Sequence, residues 1–275
     1  MRLVSNRAEG RRSIDLLKFL LSVLGVYEIY EKWLWHQVKD DAKPEHIAII
    51  LDGNRRWALD HSLNPSVGHY YGADKTEEVL RWCLDLGVKT VTLYAFSTEN
   101  FKRSKEEVEE LMQLFGEKLD GVLKNEDIHK HRVRVKAIGR LSLLPENLQW
   151  MIEKVEKATE SYDQHFLNVA MAYGGRAEIV DATREIARKV EQQKLSPLDI
   201  NEKVFEKYLY TAHLPKQDPD LIIRTSGEER LSGFLLYQSA YSELCFVEVF
   251  WPEFRRIDIL RAIRTFQKRK RRLGK

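Results

Sequence analysis

Six short apolar runs, His46 to Leu51, Thr90 to Phe96, Val133 to Ile138, Phe166 to Tyr173, Leu221 to Arg224 and Leu244 to Phe250, recur along the chain, most of them separated by stretches of helical character. Runs of this length read as strands. Strands alternating with helices predict an α/β fold with a central, mostly parallel six-stranded sheet and helices on its faces. A capping-box pattern at Asp74 and Glu77 predicts one helix start, with Gly87 as its C-cap. Ser104 and Glu107 predict another, after which Val108, Leu111, Met112, Phe115 and Leu119 share one face. Further helices are expected over Pro145 to Tyr162, Arg176 to Gln192, Asn201 to Leu209 and Arg256 to Arg271, and loops over Asp60 to His69 and Thr211 to Asp220. The first loop is placed to close over a ligand. With no Gly-, Ser- or Pro-rich linker, residues 42–275 are expected to form one domain behind a helical extension over residues 1–41.

The segments at the strand ends carry the chemistry. The first run ends in Asp52-Gly53-Asn54-Arg55-Arg56-Trp57, the second in Ser97-Thr98-Glu99-Asn100-Phe101-Lys102-Arg103, and the fifth in a segment from Arg224 through Glu228 and Arg230 to Leu231 and Ser232; Glu243 precedes the sixth. An acid, a glycine that admits a close ligand and two adjacent guanidiniums suit Mg²⁺-assisted handling of a diphosphate. Alone, the first run could equally be a turn with solvated arginines. Strand ends converge in parallel sheets, so the clusters are expected to share one crevice. Gly174-Gly175, between a strand and a helix, reads better as tight packing than as a phosphate cradle. No P-loop and no G-x-G-x-x-G is present, which removes the usual nucleotide signatures.

A formal net charge of +3 is too small to imply nucleic acid, and 43% hydrophobic residues over 275 suffice for a full core. The two cysteines, Cys83 and Cys245, lack metal-ligand spacing and read as buried free thiols, which suits a cytoplasmic, reducing setting. Near the amino terminus, Leu16 to Tyr27 is apolar but interrupted by Lys18 and followed by Glu28, Glu31 and Lys32. It falls short of the roughly 20 residues a bilayer crossing needs. An amphipathic helix is expected there, either peripheral on a membrane surface with Trp33 and Trp35 or packed on the body of the protein.

Taken together, His46 to Trp57, Gly68-His69, Leu93 to Phe101, Tyr173-Gly174-Gly175-Arg176 and Arg224 to Glu228 resemble the cis-prenyltransferase family, the undecaprenyl and dehydrodolichyl diphosphate synthases, with an archaeal cast from the Arg55-Arg56 pair and the long amino-terminal helix. The aspartate-rich motifs of the trans enzymes are absent. The resemblance implies repeated condensation of isopentenyl diphosphate onto a farnesyl or geranylgeranyl diphosphate primer, giving a polyprenyl diphosphate precursor of a glycosyl carrier lipid. It implies Mg²⁺ held by Asp52 and Glu243. Gly53, Asn54, Arg55 and Arg56 would bind the primer diphosphate with Trp57 packed beside the substrate, Arg224, Arg230 and Ser232 would grip the isopentenyl diphosphate, and His69 and Leu231 would also contact substrate, His69 near the step of proton loss. Asn100 would assist proton loss, with Ser97, Thr98, Glu99, Phe101 and Arg103 around it. An apolar tunnel walled by Val79, Leu80, Cys83 and the helix from Val108 to Val122 would hold the product. Arg272 to Gly274 matches an R-x-G motif that, in such enzymes, reaches a neighbouring site across a homodimer. Pro65 and Glu229 depart from the bacterial pattern and put primer affinity in question. The rival expectations are a non-catalytic scaffold subunit and a membrane-surface binding protein.

Overall fold

The structure is a computed structural model and describes residues 25–269. Its strands are β1 (His46–Ile50), β2 (Thr90–Tyr94), β3 (Val133–Ile138), β4 (His165–Ala170), β5 (Leu221–Arg224) and β6 (Glu243–Phe246). They form one sheet in the order β3-β4-β2-β1-β5-β6, with every pairing parallel. β1, β2 and β5 are buried along their whole length, whereas β3 alternates and β6 is half-buried throughout. That gradient is what a parallel sheet covered on both faces demands of its central and edge strands. Beneath the centre of the sheet a polar chain crosses it, from His46 Nε2 to Thr92 Oγ1 at 2.8 Å, Thr92 to Asn168 at 3.1 Å, and Asn168 to His213 Nε2 at 2.8 Å.

The described helices are α1 (Val26–Val38), α2 (Asn54–Asp60), α3 (Pro65–Asp85), α4 (Lys105–Lys124), α5 (Glu126–Lys130), α6 (Glu146–Thr159), α7 (Gly175–Glu191), α8 (Glu202–Glu206) and α9 (Arg256–Lys268). These residues fall into two compact units, Lys43–Phe254 with the sheet, and the segments up to Ala42 and from Arg255. In the smaller unit α1 and α9 pack through arginines laid over aromatic rings: Arg255 on Tyr27, Arg256 on Trp35, Arg261 on Tyr30 and Arg264 on Trp33. No described helix is long and apolar enough to cross a membrane. The expected Arg272 to Gly274 motif, and Leu16 to Leu24 of the amino-terminal segment, lie outside the described residues.

Several expectations need correction. The stretch Asp60 to His69 is not a loop, because α2 runs to Asp60 and α3 starts at Pro65, capped by Asn64 Oδ1 accepting from the Ser66 N–H at 3.1 Å. Proline at the first helical position has no N–H to waste, so it starts this helix. Asp74 and Glu77 are therefore inside α3, not at its cap. Ser104 does cap α4, accepting from the Glu107 N–H, and Gly87 takes the left-handed conformation just past α3. Thr211 to Asp220 contains no helix or strand. Cys83 is buried, while Cys245 is only half-buried. At Gly175 a Cβ would stand 2.5 Å from the Gly233 carbonyl, so the Gly174-Gly175 pair serves close packing.

Candidate active site

The direction of winding reverses between β1 and β5: the strands added directly after β1 lie on one side of it, and β5 and β6 on the other. At such a switch point the loops leaving two neighbouring strands diverge and open a crevice beyond their carboxyl ends. Asp52 comes just after β1 and Arg224 closes β5, so the two meet at its floor. Arg224 Nη2 bonds Asp52 Oδ2 at 2.7 Å, with only 6% of the arginine side chain exposed. Arg56, one helical turn on, donates to Asp52 Oδ1 at 2.9 Å and to Ser226 Oγ at 2.7 Å. Burial pushes the Asp52 carboxyl up, but Arg224 and Arg56 outweigh it and hold the group below its ordinary value. Asp52 is ionised at neutral pH.

The loop after β5 is tied to the same group. Arg224 Nη1 donates to Ser232 Oγ at 2.8 Å and to the Arg230 carbonyl, and Glu228 pairs with both Arg56 at 3.2 Å and Arg230 at 2.6 Å. Thr225 Oγ1 accepts from the Asp52 N–H at 3.1 Å and lies 2.6 Å from its carbonyl, which pins the turn. Gly53 adopts φ +105°, and a Cβ there would fall 2.7 Å from Phe250 Cδ1. Only glycine tolerates both conditions.

A second cationic group faces the first. One oxygen of Glu107, on α4, lies 3.0 Å from Arg103 Nη1, 3.1 Å from His69 Nε2 and 3.5 Å from Arg55 Nε. Burial raises the Glu107 carboxyl and these three neighbours overcome that, leaving it below its ordinary value. His69 goes the other way: burial lowers it further than Glu107 raises it, so the imidazole is neutral near pH 7. Asn100 sits in a single 3-10 turn, Thr98–Lys102, where its Oδ1 accepts from the Ser97 N–H at 2.9 Å. Its amide NH₂ is the end left for a ligand, and that is a donor, not a base.

Asp52, Gly53, Asn54, Arg55, Arg56, His69, Ser97, Glu99, Asn100, Arg103, Arg224 and Ser232 line one cleft of about 740 Å³. Leu51, Asn54, His69, Ala95 and Leu111 line both this cleft and an adjoining cavity of about 260 Å³. The cavity runs between α3 and α4 over the sheet and is walled by Leu80, Leu84, Leu93, Leu114, Phe115, Leu119, Val135 and Val169. Of the residues expected on its α3 wall, Leu80 lines it, whereas Val79 and Cys83 are core residues on another face of the helix.

Other expected residues stand apart from the cleft wall. Trp57 is 8% exposed and lies between the rings of His61 and Tyr71. Thr98 donates its N–H to the Tyr173 carbonyl, Phe101 meets Phe96 edge-on, and Leu231 packs on the core. Arg230 is 64% exposed. Glu243 opens β6 in register with Leu221, while Asp52 lies beyond Ile50, which is in register with Arg224. Leu221 and Arg224 are three residues apart, so Glu243 and Asp52 of one chain are separated by at least roughly 10 Å along the sheet. One metal ion cannot be held by both within a single chain. Glu107 and Glu228 were not foreseen as site residues; the signal for Glu107 was present, but it read only as a helix cap.

Residues 50–274 match the family described as "Putative undecaprenyl diphosphate synthase". A Methanopyrus kandleri protein named tritrans,polycis-undecaprenyl-diphosphate synthase (geranylgeranyl-diphosphate specific) is 57% identical over 255 residues, 93% of each chain. A protein of the same name from Methanocaldococcus jannaschii is 53% identical, covering 97% of this chain and 95% of its own. Among solved structures, lavandulyl diphosphate synthase from Lavandula x intermedia, in complex with dimethylallyl diphosphate, superposes with a TM-score of 0.82 at 38% identity, covering 85% of this chain and 99% of that one.

Proposed function

Because the chain belongs to the undecaprenyl diphosphate synthase family, and so is a prenyltransferase of the cis type, we propose that it extends geranylgeranyl diphosphate by successive additions of isopentenyl diphosphate, to a product of the length its relatives' names describe. The observation that carries this reading is the join between a cationic cleft and an apolar cavity at Leu51, Asn54, His69, Ala95 and Leu111. A diphosphate suits one end and a hydrocarbon chain the other.

Asp52 is a half-buried, ionised carboxylate at the cleft floor, the hard oxygen donor that Mg²⁺ takes. Among the described residues no group of three or more His, Cys, Asp or Glu is placed to hold a metal. Mg²⁺ at Asp52 would then draw its other ligands from substrate phosphate and water, a common arrangement for this ion. When bound, Mg²⁺ neutralises charge gathering on the departing diphosphate. The protein supplies the rest. Gly53, Asn54, Arg55, Arg56, His69 and Arg103 receive the primer diphosphate, and Arg224, Arg230 and Ser232 the isopentenyl diphosphate. Guanidiniums held beforehand by Asp52, Glu107 and Glu228 need no reorganisation as charge develops. Asn100 orients a diphosphate oxygen or water that takes the proton, through its NH₂. Arg55 supplies the cation that Pro65 does not, which supports primer binding despite that departure. Association as a homodimer, with Arg272 to Gly274 completing a neighbouring site, and peripheral contact with a membrane belong to the same proposal.

The test is incorporation of labelled isopentenyl diphosphate by the purified chain with Mg²⁺, with primers of ten, fifteen and twenty carbons. Long product is expected, most of it from the twenty-carbon primer, and none from Asp52→Ala. Equal use of all three primers would refute the primer assignment, and absence of product from the unaltered chain would refute the reading as a whole.

A further inference from the structure

The wall of the apolar cavity is closed by charge. Lys118 Nζ, on α4, bonds Asp74 Oδ1 at 2.6 Å and Glu77 Oε1 at 2.7 Å, both on α3. Glu77 and Lys118 line the cavity beside Leu80 and Leu119. The Lys118 stem therefore covers apolar surface while its ammonium faces water, the usual compromise of a long cationic side chain. His69, where cleft and cavity meet, is eight residues before Glu77 on α3, and Leu111 is seven before Lys118 on α4. At 1.5 Å per residue the ion cluster stands roughly 10–12 Å down the cavity from the cleft. Apolar walls continue beyond it at Leu84, Val122 and Ile128.

A second observation concerns the helix that carries the lysine. Gly116 and Gly121 bracket Lys118 inside α4, and a Cβ built on either meets nothing within 4 Å. No close packing requires glycine at these positions. What glycine does there is weaken the helix, since it loses more backbone freedom on ordering than alanine. α4 is thus a yielding wall, tied to α3 near its start by Ser66–Glu110 and His69–Glu107 and at this depth by the Lys118 cluster. A hydrocarbon that reaches this level widens the gap between the helices only by parting three charged groups, and apolar atoms do not replace their hydrogen bonds.

We propose that the Lys118 clasp on Asp74 and Glu77, set on a glycine-softened α4, determines how long a prenyl chain the enzyme makes. This rests on the elongation reading above. Loss of the clasp frees α4 and lengthens the product; stiffening α4 shortens it. The clasp touches neither cleft nor diphosphate, so KM for isopentenyl diphosphate is independent of it.

The experiment compares product chain lengths, resolved by mass spectrometry, for the unaltered protein, Lys118→Met, Lys118→Arg, the Asp74→Asn/Glu77→Gln pair and the Gly116→Ala/Gly121→Ala pair. The two clasp-breaking variants attack it from opposite helices, so a folding defect in one does not decide the matter. Their ion pairs are partly exposed, and melting temperatures are expected within about 4 °C of the unaltered protein. Expected is a shift to products longer by one or more five-carbon units for Lys118→Met and for the Asp74/Glu77 pair, restoration in Lys118→Arg, a shift to shorter products in the glycine pair, and a KM for isopentenyl diphosphate within about twofold throughout. Superimposable length distributions in all variants of an elongating enzyme would overturn the clasp while leaving the elongation reading intact. An unaltered protein that makes no polyprenyl product would overturn both.

Discussion

Replacing Glu107 by glutamine removes one charge and almost no volume, which makes it an informative perturbation of the cleft. The carboxylate is 11% exposed and serves Arg103 at 3.0 Å, His69 at 3.1 Å and Arg55 at 3.5 Å. The Arg55 side chain is half exposed and its contact long, so it contributes little. The hydrogen bond to Arg103 is charge-assisted and of the kind that contributes about 1.5–3 kcal/mol. Without the carboxylate, Arg103 and Arg55 repel each other across the position that held them, and His69 loses the partner that partly offsets its burial. A loss of about 1.5–3 kcal/mol in positioning corresponds to a roughly 10- to 100-fold fall in kcat/KM for the primer, at about tenfold per 1.36 kcal/mol. Steady-state kinetics with each substrate varied in turn reads this directly. KM for the primer should rise while KM for isopentenyl diphosphate stays within about twofold, and Glu107→Asp should recover part of the loss. An unchanged kcat/KM for the primer, or an equal rise in both KM values, would refute the reasoning.

Three further outcomes are expected from other parts of the molecule. Gly53→Ala demands a left-handed alanine and a methyl group 2.7 Å from Phe250 Cδ1; thermal melting should register a destabilisation of about 1–3 kcal/mol, with most elongation lost, and an unshifted melting curve would contradict the account. His46 is buried beneath the sheet and its pKa is lowered to about 4, first by burial. Between about pH 4 and pH 6.5 the unfolded chain binds this proton and the folded one does not, so stability rises with pH across that window, by about 3 kcal/mol in all. Denaturant titrations should lose that slope in His46→Gln. Asp52 titrates below its ordinary value when folded, so its ion pairs contribute stability above the unfolded pKa of about 4 that is lost as pH falls through the folded value; Asp52→Asn should remove this acid-side loss.

Strands were legible where burial imposes continuous apolar sequence, as in β1, β2 and β5, and overextended where apolar residues continue past the last ladder pair. Met171 to Tyr173 and Val247 to Phe250 are such cases: the ladder ends at Ala170 and Phe246. The start of α3 was hidden because Asp74 and Glu77 mimic a cap, whereas their carboxylates reach Lys118 on another helix. The meeting of Asp52 and Arg224 was legible in principle, since both stand at the carboxyl ends of strands in a parallel sheet. Glu243 is the first residue of its strand, and in a parallel sheet that puts it at the opposite end; its pairing with Asp52 came from resemblance alone. Glu107 and Glu228 were missed because sequence shows which residues neighbour along a helix, not which three elements a single carboxylate gathers.

The central claim is that the cationic cleft and the apolar cavity behind it together perform cis elongation. Its most direct test is the structure of the product made from carbon-13-labelled isopentenyl diphosphate and the twenty-carbon primer with Mg²⁺, read by NMR for double-bond geometry and by mass spectrometry for length. The account predicts a polyprenyl diphosphate in which every added unit is cis and the primer's own double bonds are unchanged. Added units that are trans, or a primer recovered without extension, would contradict it.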